Sequence, residues 1–191
     1  MKSAELKVMP FKTAKAFESW LKKNHATSTG IWMQLFKKGS GVKTITYAEA
    51  LDEALCFGWI DSQKKSFDEK SYLQRFGPRK AKGMWSKVNR LHVARLTKEG
   101  RMAPAGLAHV ASAKKDGRWE GAYDSPKNMK VPDDFLAALA KHKKAEQFFR
   151  SLNRANVYAI AWRLQTAKRP ETRKKRMDLI LEMLKKGEKF H

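Results

Sequence analysis

Between Gly121 and Lys130 the chain loses its regular patterning, and the residues on either side of that stretch follow different rules. Before it, helical spacing and strict alternation take turns, so the segment has to be built from both helices and strands. After it, only helical spacing remains. The Gly, Ser, Pro and Asn of the break are turn formers, so residues 121–131 read as a connector between an α+β domain, 1–120, and a helical subdomain, 132–191.

In the first part, Thr13 can cap a helix running to about Asn24, with Ala16, Phe17, Trp20 and Leu21 on its inner face. Ile31, Met33 and Leu35 then alternate with Trp32, Gln34 and Phe36, which predicts a strand. The turn at Gly39-Ser40-Gly41 leads into Lys43 to Ile45 and suggests a β-hairpin. Thr46 and Glu49 have the T-x-x-E spacing of a capping box for a helix carrying Ala50, Leu51, Ala54 and Leu55, ended by Gly58. Trp59 to Phe67 and Ser71 to Phe76 read as two further strands. Ser86 caps a helix that stops at Gly100, and Pro104 starts another that fades at Asp116-Gly117.

In the second part, Pro132 with Asp133 and Asp134 opens one helix, Phe148, Phe149 and Leu152 mark a second, and Val157, Ile160, Ala161 and Leu164 a third. The last is the plainest. Pro170 stands at its first position, Met177, Ile180, Leu181 and Leu184 form its apolar stripe, and Lys185, Lys186 and Gly187 close it. The fold class expected is therefore α+β: a small antiparallel sheet with flanking helices, followed by a C-terminal helical subdomain.

Charge narrows the partners. The 191 residues carry 41 Lys or Arg against 19 Asp or Glu, a net charge of +22. Residues 56–100 hold eleven basic side chains against four acidic ones, and 141–191 hold fifteen against five. From Lys70 to Lys98 there are nine cations and no carboxylate, interleaved with Tyr72, Phe76 and Trp85. Such a run repels itself unless an anion or solvent screens it, and rings among cations offer stacking surfaces. Nucleic acid, an acidic membrane surface or a phosphate-bearing ligand all fit, and a merely solvated lysine-rich surface has the same composition.

Two segments carry a family resemblance: Tyr47 to Asp61 (YAEALDEALCFGWID) with Gln74 to Asn89 (QRFGPRKAKGMWSKVN), and the C-terminal AKRPETRKKRMDLILEMLKKGEKF. Together they resemble the YdeI/OmpD-associated family, also described as bacteriocin-protection proteins. The resemblance implies protection against cationic antimicrobial agents and a link to a porin, hence a protein partner, and brings no reaction with it. A chain of charge +22 repels cationic peptides rather than trapping them.

Other motifs resolve into ordinary structure. Lys38 to Thr44 has the look of a phosphate-binding loop, but Val42 separates Gly41 from Lys43 and Phe36 stands where the earlier Gly belongs. His25, His92, His109, His142 and His191 share no metal-ligand spacing, so neither metal nor cofactor is expected. Cys56 lies among Leu55, Phe57 and Trp59, the setting of a buried, inert thiol. Glu49, Asp52 and Glu53 on one helix read as a cap and surface charges. There is no apolar run long enough to span a membrane and no secretory leader pattern, which predicts a soluble, cytoplasmic protein.

The candidate site lies between Trp59 and Arg95. On a helical wheel Val88, Leu91 and Leu96 define an apolar arc that also contains His92 and Arg95. Arg79 and Lys80 sit in a Gly-containing loop just before the Ser86 cap, where helix N–H groups could hold an anion, with Arg75 in reach and Asp61 placed to orient an Arg. One reading is an anion-binding protein for nucleic acid or a phosphate-bearing molecule, using Arg75 to Arg95. A second is an enzyme or small-molecule binder with a cleft lined by Trp59, Asp61, Arg75, Trp85, Ser86, His92 and Arg95. A third is a protection protein acting through a protein partner.

Overall fold

The computed structural model describes residues 6–191, which divide after Ala122 into two compact units. The first contains β1 (Val8–Pro10), α1 (Ala14–Asn24), β2 (Ile31–Phe36), α2 (Tyr47–Cys56), β3 (Trp59–Ser66), β4 (Ser71–Pro78), α3 (Lys87–Lys98) and α4 (Pro104–Lys115). The second, Tyr123–His191, is helical: α5 (Asp133–Ala140), α6 (Lys143–Arg150), α7 (Arg154–Gln165) and α8 (Pro170–Lys185). The protein is α+β.

The helix starts follow local chemistry. Thr13 Oγ1 accepts the Ala16 N–H at 3.2 Å, Ser86 Oγ accepts that of Asn89 at 3.1 Å, and Thr46 and Glu49 form the reciprocal capping box. Gly58, one residue beyond the Phe57 cap of α2, has φ 74°, a conformation that a Cβ disfavours.

The sheet has the order β1-β2-β4-β3, with β1 parallel to β2 and the other pairs antiparallel. It is thus mixed, and its parallel edge strand has no signature in three residues ending in Pro10. Ile31, Met33 and Leu35 of β2 and Phe76 of β4 face the core, where Phe17 and Leu21 of α1 and Ala50, Leu51, Ala54 and Leu55 of α2 meet them. Phe17 lies 5.9 Å from Phe76, centroid to centroid.

The hairpin expected from Gly30 to Ile45 does not form. β2 is paired with β1 on one side and with β4 on the other, so neither edge is open to residues 43–45. Ile45 instead donates its N–H to Phe11 O at 3.1 Å and buries its side chain. On α3 the apolar arc is also displaced. Val93 and Leu96 are the buried residues, whereas Leu91 is 72% exposed and Val88 39% exposed. Of the three side chains that drew the arc only Leu96 packs, because the face that meets α2 carries Val93 beside it.

In the helical unit Phe135, Leu139, Ala145, Ile160, Leu164, Ile180, Leu181 and Leu184 form the core. Leu152 packs against it from just beyond the end of α6. Asn156, on α7, is 1% exposed and its amide is fully used: Oδ1 accepts the N–H groups of Phe190 and His191 at 3.0 Å, and Nδ2 donates to Asn153 Oδ1 and His191 O. That hub ties the end of the chain to α7.

Candidate functional site

Three carboxylates of α2 serve three purposes. Glu49 closes the capping box. Asp52 reaches α3, where its Oδ1 lies 2.7 Å from His92 Nδ1 and its Oδ2 accepts from Arg95 Nη2. Burial pushes the Asp52 carboxyl up, but the hydrogen bonds from His92 and Arg95 outweigh it and hold the group below the ordinary Asp range. Glu53 is buried and accepts from Arg101 Nη2 at 2.7 Å, and there burial wins, leaving its carboxyl above the ordinary range despite the guanidinium. Glu99 joins Arg95 and Arg101 into one ladder. His92 and Arg95 thus share an aspartate forty positions upstream of His92, with His92 partly buried and Arg95 exposed.

Arg79 departs from expectation. It is 7% exposed, its guanidinium lies 3.7 Å from the Trp85 ring centroid, and Nη2 donates to Met84 O at 2.8 Å. Trp85 is buried and stands edge-on to Trp119 at 5.0 Å. Arg118 donates to Gly83 O, so with Arg79 on Met84 O two guanidinium groups hold backbone carbonyls of the 79–85 loop, while Arg90 donates to Trp119 O. Only Lys80 of the expected pair points into solvent. Ser86 is buried and spends its hydroxyl on the cap.

The other site residues are dispersed. Trp59 is 1% exposed, donates Nε1–H to His25 O at 3.0 Å and packs on Trp20. Asp61 accepts from the Tyr47 hydroxyl at 2.9 Å instead of orienting an arginine. Burial and the Asp61 charge in turn push the Tyr47 hydroxyl pKa up. Arg75 stands on β4 opposite Trp32 and is half-buried. These residues therefore form separate structural groups, and Trp59 and Trp85 are core rather than cleft walls.

Cys56 matches its reading: it is 1% exposed, and burial, reinforced by the neighbouring Glu53 charge, pushes its thiol up to about 12. The native protein should therefore resist a thiol reagent at neutral pH and react once denatured. Rapid labelling of the folded chain would disprove this.

The C-terminal basic block is divided between internal and outward cations. Arg163 lies over the Phe190 ring at 3.7 Å, Arg176 donates to Arg163 O at 2.8 Å, and Arg173 pairs with Asp134. Lys168, Arg169, Lys174 and Lys175 are exposed. Among the described residues no group of three His, Cys, Asp or Glu is placed to hold a metal ion, and no helix is long and apolar enough to cross a membrane.

Residues 9–109 match a family described as a domain of unknown function (DUF8412), and residues 128–187 match the family described as bacteriocin-protection, YdeI or OmpD-associated. The resemblance read from the C-terminal segment is carried by this second match, whereas Tyr47 to Asn89 falls within the first. No curated protein and no solved structure matches.

Proposed function

We propose that this chain, which belongs to the DUF8412 domain family and carries a bacteriocin-protection, YdeI or OmpD-associated segment, binds a polyanion, and that the polyanion is nucleic acid. The observation that carries the reading is how the first unit uses its carboxylates. Asp52, Glu53 and Glu99 are engaged by His92, Arg95 and Arg101, and Asp61 by Tyr47, while Lys64, Lys65, Lys70, Lys80, Lys82, Lys87 and Lys98 are all exposed. Lysines spread along strands, loop and helix on long stems produce a broad positive field rather than one anion seat. A chain of phosphates is the ligand that such a field attracts best.

Binding by this means depends on released counterions. Log K should fall linearly with log salt, with a slope of about −0.9 for each phosphate neutralised on a duplex. Titration of labelled oligonucleotides from low to physiological salt checks it. Absence of binding at low salt would reject the proposal, and a salt-independent affinity would reject its electrostatic basis.

The match over residues 128–187 favours a second reading, protection against bacteriocins through a protein partner. Direct capture of cationic peptides is opposed by the +22 charge, so a partner has to mediate it. Bacteria expressing the chain and challenged with a bacteriocin should then survive better than controls, and equal survival counts against this reading.

A further inference from the structure

The two faces of the sheet are unlike. Cross-strand partners share a face, so the face opposite the core carries Trp32 with Arg75, Gln34 with Leu73, Phe36 with Ser71, and Lys65 beside Leu73. Trp32, Gln34, Phe36 and Arg75 are partly buried, Lys65 is exposed, and Leu73 and Ser71 are buried beneath these larger neighbours. The buried apolar side chains of α1 to α4 join the cluster containing Ile31, Met33, Leu35 and Phe76, which lies on the other side. No carboxylate occupies these register positions, since Asp61 pairs with Phe76 on the core side. Lys65 Nζ rests 4.4 Å from the Trp32 ring centroid.

We infer that this face is a stacking platform for unpaired bases, which makes the ligand single-stranded nucleic acid; the inference rests on the polyanion reading and narrows it. Trp32 and Phe36 lie four residues apart on one strand, about 13 Å by strand rise, so each can receive its own base. Arg75 and Lys65 flank the Trp32 ring and meet the phosphates, Lys65 swinging off the ring as a base arrives. Bases inside a duplex have no free faces, so a duplex can use the cations but not the rings. A second copy of this chain is a poor occupant, because two surfaces of a +22 protein repel each other.

The full chain is titrated at low salt with a labelled oligothymidylate, a duplex of equal length and heparin. Oligothymidylate should bind more tightly than the duplex and quench tryptophan emission. Trp32→Ala should weaken oligothymidylate binding about five- to a hundredfold while changing heparin binding less than about twofold, and Trp32→Phe should restore most of the loss. Phe36→Ala should act in the same direction, and it tests the platform independently if Trp32→Ala unfolds. Unchanged oligothymidylate affinity in the alanine variants, or equal losses toward heparin, overturns the platform. Heparin binding without oligothymidylate binding overturns it too, but leaves a polyanion surface. Failure to bind either removes the polyanion reading itself.

Discussion

Gly106→Ala should cost the first unit about 3 kcal/mol or more and lower its melting temperature by roughly 10 °C, at the upper end of what overpacking does. A Cβ at Gly106 would stand 2.3 Å from the Cys56 carbonyl oxygen and 2.9 Å from both the Cys56 carbonyl carbon and the Leu55 oxygen. All three are backbone atoms, so no rotamer change relieves the contact. The crossing is fixed besides, because Ala103 donates its N–H to Cys56 O at 3.0 Å, one turn before. Helix propensity works the other way, favouring Ala over Gly by about 1 kcal/mol, and it is the smaller effect. α4 must lift off α2, which draws Val110 and Ala113 out of the core. A variant melting at or above the parent temperature would show that the helices can separate at little cost.

Gly106 also illustrates what the sequence conceals. Nothing around it marks a crossing point, because its neighbour is Cys56, fifty positions away in sequence. The features legible in advance were those satisfied within four residues: the hydroxyls of Thr13, Thr46 and Ser86 meet N–H groups at the third position, and chemistry that local survives any tertiary context. Strand alternation was legible as well, since Ile31, Met33 and Leu35 are opposed to Trp32, Gln34 and Phe36 whatever the fold. Pairing was not. The sequence nearest to β2 on its C-terminal side suggested a hairpin, but β4 offered a six-residue ladder on one edge and β1 took the other.

The site divides in the same way. Cys56 was readable because it continues the apolar run of α2 that turns inward, and it is buried there with Ala54 and Leu55. His92 and Arg95 both pair with Asp52, although Arg95 stays exposed, and Asp52 could not be chosen as their partner over its neighbours Glu49 and Glu53. The sheet face turned away from the core went unread because alternation separates two faces without saying which one the helices will cover. Arg79 was misplaced for a related reason. A guanidinium between Pro78 and Lys80 reads as a solvated cation, and only the fold brings Trp85 beneath it.

Arg79→Ala should consequently behave as a core lesion, destabilising the protein by about 2–4 kcal/mol, whereas Lys80→Ala should change stability by less than about 0.5 kcal/mol. The substitution strips the charged donor from Met84 O, worth about 1.5–3 kcal/mol, and removes a desolvated cation from the Trp85 face, worth about 2 kcal/mol. Relief of the guanidinium's own desolvation offsets part of that. Arg79→Lys should recover little, because a single ammonium cannot both lie flat on the indole and reach the carbonyl. His109 supplies a second readout. Its pKa is held below the ordinary His value by burial first and then by the charges of Arg79 and Arg118. Removing Arg79 takes away one of those charges, so the imidazole should titrate at higher pH in folded Arg79→Ala than in the parent, while Lys80→Ala should leave it in place. Thermal melts with NMR titration of the His109 ring test both outcomes. If Arg79→Ala melts with the parent and His109 does not move, the guanidinium is solvated after all, and the anion seat first imagined at the Ser86 cap regains its cation.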